Sequence, residues 1–154
     1  MLSIRALAAG ERGPLAPLLG AYAAEMRGVL EGSAAAEGTA IAAMLDADPR
    51  SELLLASRDG AALGFALFYD LPEAVFARRC GQLDDLFVVP EARGEGLARA
   101  LLEALRQLGA ARRWSHLRWF VPEADQAAIA LYERVAERAE WRSYIQRLDR
   151  AASL

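Results

Sequence analysis

The stretch with the most chemical potential is Leu86-Phe87-Val88-Val89-Pro90-Glu91-Ala92-Arg93-Gly94-Glu95-Gly96-Leu97-Ala98. An apolar strand reaches a proline, and a short loop delivers two glycines to a helix start. The first amides of a helix lack internal acceptors and carry the positive end of its dipole, so an anion such as a pyrophosphate can accept from them. Gly94 and Gly96 remove side chains that would block that approach, and Arg93 adds a charge. The chain has no Gly-x-x-x-x-Gly-Lys-Ser/Thr loop. Gly94-x-Gly96-x-x-Arg99 also puts arginine where a dinucleotide fingerprint needs its third glycine.

Just upstream, Leu83-Asp84-Asp85-Leu86 sets two carboxylates side by side on a largely apolar strand. Apolar surroundings raise a carboxylate's pKa and make it a better base. Strand alternation sends the two to opposite faces, so they need not share a site. The alternative is structural: either could cap the strand or pair with Arg78 or Arg79. Tyr132, on a helical stretch, carries a phenol that stays protonated at neutral pH and can donate a proton. It could equally be a core tyrosine with a satisfied hydroxyl. One histidine (His116) and one cysteine (Cys80) leave no materials for a catalytic triad, a zinc site or an internal disulfide.

The elements that must position these groups follow from periodicity and breakers. Ile4 to Leu7 is a short strand, and Pro14 opens a helix running to about Arg27, with Leu15, Leu18, Leu19, Tyr22 and Met26 at helical spacing. A second helix is expected from Thr39 to Ala47, ended by Asp48-Pro49. Glu52 to Ser57 and Ala62 to Tyr69 read as strands around an Arg58-Asp59-Gly60 turn, with Asp70 to Glu73 as a connection. Gln82 to Val89 is the next strand. Gly94 to Leu108 is an amphipathic helix that Gly109 would stop, and Ser115 to Val121 follows as a strand. A strand-helix-strand crossover of this kind pairs its strands in parallel. A helix from about Ala124 to Val135 and an alternating closing strand from Trp141 to Leu148 complete an α/β architecture with a mixed, mostly antiparallel sheet. No repeat or linker divides residues 1–154, so one domain is expected.

Arg93-x-x-Gly96-x-Ala98 resembles the Arg/Gln-x-x-Gly-x-Gly/Ala signature of the GNAT acetyltransferases. Asp125-Gln126-Ala127-Ala128-Ile129-Ala130-Leu131-Tyr132 resembles the same family's Asn-x-x-Ala-x-x-Leu-Tyr helix. The likeness covers Gly64 to Leu148 well and the N-terminal third only by layout. It implies acetyl-CoA as co-substrate, no metal, and direct transfer of the acetyl group to a primary amine. It also implies that the backbone of Leu86, Phe87 and Val88 bonds the pantetheine arm. The loop Arg93, Gly94, Glu95, Gly96, Leu97 and Ala98 would hold the pyrophosphate, with Asp125 near the cofactor in place of the usual asparagine. By the same resemblance Tyr132 is the general acid and Asp84 the activating base, while Asp85 lies near the bound amine. Gly64-Phe65-Ala66-Leu67-Phe68-Tyr69, the Leu83 to Val88 strand and Trp141-Arg142-Ser143-Tyr144 look similar to the diamine (polyamine) branch. That branch suggests a small cationic amine as substrate, for which Glu25, Glu31 and Glu73 could add attraction. A protein or peptide N-acetyltransferase, or a non-catalytic acyl-CoA-binding regulatory module, stays open beside it.

A formal net charge of −3 argues against a nucleic-acid partner. The absence of a signal-peptide pattern and of a membrane-length apolar run, with a single cysteine, leads to the expectation of a cytoplasmic enzyme without a membrane partner. The family likeness alone suggests a homodimer. All eighteen basic side chains are arginine, so no lysine is present for self-acetylation.

Overall fold

The computed structural model describes residues 1–31 and 34–148. The chain divides into two units, Met1–Pro122 and a second that starts at Glu123. The first unit holds strand β1 (Leu2–Leu7), a 3-10 turn at Gly13–Leu15, helices α1 (Ala16–Met26) and α2 (Gly38–Ala47), and strands β2 (Glu52–Arg58), β3 (Ala61–Glu73) and β4 (Arg78–Val88). A second 3-10 turn at Pro90–Ala92 leads to helix α3 (Leu97–Ala111) and strand β5 (Trp114–Arg118). The five strands form one sheet in sequence order, antiparallel except for the β4–β5 pair. The crossover through α3 thus gives the parallel pair that the sequence implies.

Two apolar layers hold the sheet. On one face Leu15, Leu18 and Leu19, with Leu45 of α2, meet Leu53, Leu55, Phe65, Leu67 and Phe87. α3 buries Leu97, Leu101, Leu102 and Leu105, each contributing roughly 1.5–3 kcal/mol of transfer free energy. Arg12, only 2% exposed, ties the chain before α1 to the backbone oxygen of Ser51 at 2.6 Å.

Four local expectations are corrected. Asp70 to Glu73 is not a connection: β3 runs through it, pairing as far as Glu73↔Arg78. The extension is pinned at Asp70, which accepts from Arg79 (2.7 Å), Arg112 (3.2 Å) and the Trp114 indole (3.0 Å). Gly109 does not stop α3, which continues to Ala111; it is glycine because a Cβ would stand 2.5 Å from the Trp114 ring. The chain turns only after Arg112, at Arg113, whose φ is +58°. α3 itself begins at Leu97 rather than Gly94, leaving both glycines in the loop. Finally, Trp141 to Leu148 forms no strand among the described residues. Alternation describes a strand-compatible surface, but a strand exists only where a neighbour accepts its backbone hydrogen bonds.

The second unit carries α4 (Gln126–Val135). Asp125 is its N-cap, accepting from Ala128 N at 3.1 Å. That is the role an asparagine would fill, so the departure from the family's usual residue keeps the cap.

Candidate active site

The site starts from an irregularity in β4. Leu67 pairs with Asp85 and Phe68 with Leu83, so Asp84 is an extra residue with no partner on β3. Such a bulge breaks strict side-chain alternation and re-aims what it carries. The two carboxylates remain near enough to sense each other's charge. Asp84's charge helps to raise the Asp85 pKa, and both charges add to the burial that raises the Tyr69 phenol.

Asp85 lies on the wall of an apolar cavity of about 310 Å³ between α1, α2 and the sheet, walled by Leu19, Met26, Ile41, Met44, Phe65 and Leu67. Asp84 is exposed and does not line this cavity. Burial is the main reason the Asp85 carboxyl sits above its usual range. The opposing influence is a hydrogen bond donated by the Tyr22 hydroxyl. Sequence reading placed Tyr22 only on the apolar face of α1. Its ring is held at 5.6 Å from Phe65 and 5.8 Å from Phe87, which aims the hydroxyl at Asp85. A tyrosine among apolar residues at helical spacing, facing a strand with an apolar-flanked carboxylate, was the available signal.

After Gln82 the strand no longer pairs with β5. β4 and β5 pair at Arg79↔Trp114, Gly81↔Leu117 and Gln82↔Arg118, and no pairing with β5 is made from Leu83 to Val88. Leu86, Phe87 and Val88 therefore lie on a strand end that parts from β5, with backbone groups on that side suited to an extended ligand. The Val88 carbonyl is turned to another use, accepting from Arg93 Nε at 2.9 Å.

The loop then reverses through Gly94 (φ +82°) and Gly96 (φ +84°). A Cβ at either would meet nothing within 4 Å, so the backbone angle, not crowding, calls for glycine. α3 hydrogen bonding opens with Ala100 N to Gly96 O at 3.0 Å, which leaves the amides of Leu97, Ala98 and Arg99 without helical acceptors. These amides, the two glycines and the open strand end fit a pyrophosphate joined to an extended arm. Glu95 is paired with Arg58 at 2.7 Å. Glu25 is paired with Arg93 at 2.7 Å. Arg93 also lies 5.6 Å from the centre of the Phe87 ring. Glu73 accepts the amides of Val75 and Phe76 at the β3–β4 turn, and Glu31 sits in a turn with φ +56°.

In the second unit, burial and the nearby Asp125 charge push the Tyr132 phenol up to about 12. It stays protonated through the neutral range, as a proton donor requires.

The Acetyltransferase (GNAT) family model matches residues 21–136, which spans the parallel crossover, the glycine turn and α4. The chain belongs to the GNAT acetyltransferase family. It is an acetyl-CoA-dependent N-acetyltransferase. It is similar to the ribosomal-protein-alanine N-acetyltransferase of Brucella melitensis biovar Abortus 2308, at 34% identity over 96% of this chain and 100% of that one, with a TM-score of 0.81. An aminoglycoside acetyltransferase from an uncultured soil metagenomic sample is 25% identical over 97% and 99% of the two chains, TM-score 0.77. An acetyltransferase of Trypanosoma brucei, 22% identical over 96% and 100%, shares the fold with a TM-score of 0.70. No curated protein matches the chain to a significant degree. No helix among the described residues is long and apolar enough to cross a membrane.

Proposed function

We propose that this GNAT enzyme acetylates a small primary amine bound in the cavity beneath α1 and α2, with Asp85 as the proton acceptor. The observation that carries the reading is the Asp85 carboxylate, half-buried against apolar walls on the strand that runs into the glycine turn. An alkyl ammonium, with a pKa of about 10.4, must lose a proton before it can attack. A carboxylate raised by burial takes that proton more readily than an ordinary one. The freed nitrogen then attacks the acetyl carbonyl, the carbon–sulfur bond breaks, and the departing thiolate takes a proton from Tyr132. The extra proton on the new amide nitrogen returns to the Tyr132 phenolate, and Asp85 releases the ammonium proton to solvent. Tyr132 holds that role by its place in the Leu-Tyr motif. The base moves from Asp84, favoured by resemblance, to Asp85. Asp84 acts through its charge on Asp85.

Leu86 to Val88 and the Arg93 to Ala98 turn bind and orient acetyl-CoA in this scheme. Arg93, held by Glu25 and Val88, supplies cationic charge beside the turn. On the same proposal the enzyme works in the cytoplasm, as its sequence pattern suggests, and as a homodimer, as the family likeness suggests. A second reading has support of its own: the 34% identical structure is a ribosomal-protein-alanine N-acetyltransferase, which favours a protein N-terminus as the acceptor. The test is acetyl-CoA-dependent thiol release across monoamines, diamines, aminoglycosides and peptides beginning with alanine. One amine class should turn over, and Tyr132→Phe should lower its kcat by roughly 10²-fold. Silence with every amine and turnover of peptides alone would transfer the reading to protein N-termini. An unaffected Tyr132→Phe would remove the acid.

A further inference from the structure

We infer that the acceptor is a monoamine: one ammonium carried on an apolar alkyl or aryl body, not a polyamine or an aminoglycoside. This rests on the proposed acceptor site and names its substrate class. The cavity of about 310 Å³ lies at the small end of ligand sites, which run from roughly 300 to 1,000 Å³. Its walls, Leu19, Met26, Ile41, Met44, Phe65 and Leu67, offer apolar contact, which rewards an apolar body.

The charges complete the argument. Among the described lining residues Asp85 is the one carboxylate, and the other charged side chain is the cationic Arg27. One ammonium finds one carboxylate, whereas a second would be desolvated beside hydrocarbon with a guanidinium nearby. Two acidic side chains that a polycation could have recruited are engaged elsewhere. Glu25 is on Arg93 at 2.7 Å, and Glu73 is on the turn amides of Val75 and Phe76. Neither lines the cavity.

The experiment measures kcat/KM of the full chain, at saturating acetyl-CoA, for butylamine, hexylamine and 2-phenylethylamine. The competitors are 1,4-diaminobutane, 1,6-diaminohexane, tobramycin and a peptide beginning with alanine. Each added methylene should raise kcat/KM by about fourfold while it stays within the cavity. Adding a second ammonium at the far end of the same carbon chain should lower it by at least about tenfold. Met44→Glu, at a position 63% exposed, adds a second carboxylate at the cavity wall and should narrow the gap between 1,6-diaminohexane and hexylamine. Diamines, tobramycin or the peptide turning over as well as hexylamine would overturn the monoamine assignment alone. Failure of every acceptor, with acetyl-CoA still raising the melting temperature, would overturn it together with the acceptor site on which it rests.

Discussion

At the residue scale, the informative contrast is between two adjacent aspartates. Both were visible as candidates, since two carboxylates on an apolar strand are rarely placed by packing needs alone. Their division of labour was hidden because it depends on a bulge, and a bulge depends on how the neighbouring strand pairs. Asp85 took the half-buried place beside Tyr22, while Asp84 stayed exposed. The raised Asp85 pKa has a consequence for stability. The folded state keeps a proton that the unfolded chain releases, so stability falls as pH rises from the ordinary value of 3.8 to the raised one. Asp85→Asn removes that cost. Its melting temperature relative to the wild type should shift in its favour by a few degrees between about pH 4 and about pH 7. Thermal melts at the two pH values check this, and an unchanged difference would mean that the carboxyl is not strained by burial.

At the element scale, most of the frame was legible because hydrophobic period and breakers act locally. The existence and order of α3, β4 and the glycine turn came from the sequence, as did the parallel crossover, although β4 begins four residues earlier and α3 three residues later than periodicity suggests. What failed depended on distant partners. The Asp70 to Glu73 extension is held by Arg79, Arg112 and Trp114, and Gly109 answers to a tryptophan beyond its own helix. Trp141 to Leu148 has strand alternation but no strand partner among the described residues. The glycine turn bears the most specific prediction at this scale. At φ +84°, an alanine in place of Gly96 costs roughly 1–2 kcal/mol of backbone strain. Relief of that strain would tilt the amides away from the pyrophosphate. Gly96→Ala should raise the KM for acetyl-CoA about tenfold and leave the KM for the amine nearly unchanged. Steady-state kinetics in both substrates separate the two, and an equal rise in both would point to general misfolding.

At the scale of the whole molecule, family and cofactor could be read from two motifs in order, and the matched family model agrees across residues 21–136. The acceptor could not be read in the same way, because the cavity proposed for it is built mainly from α1 and α2, where resemblance was weakest. Only the fold brings Tyr22, Asp85 and the apolar walls together. The central claim is that Asp85 accepts the proton of the attacking amine. The direct measurement is amine-dependent thiol release by Asp85→Asn and Asp84→Asn, compared side by side with the parent enzyme at saturating acetyl-CoA. The account predicts a loss of roughly 10²–10⁴-fold in kcat for Asp85→Asn and a loss of less than about tenfold for Asp84→Asn. Near-full activity in Asp85→Asn, or the larger loss in Asp84→Asn, would contradict it.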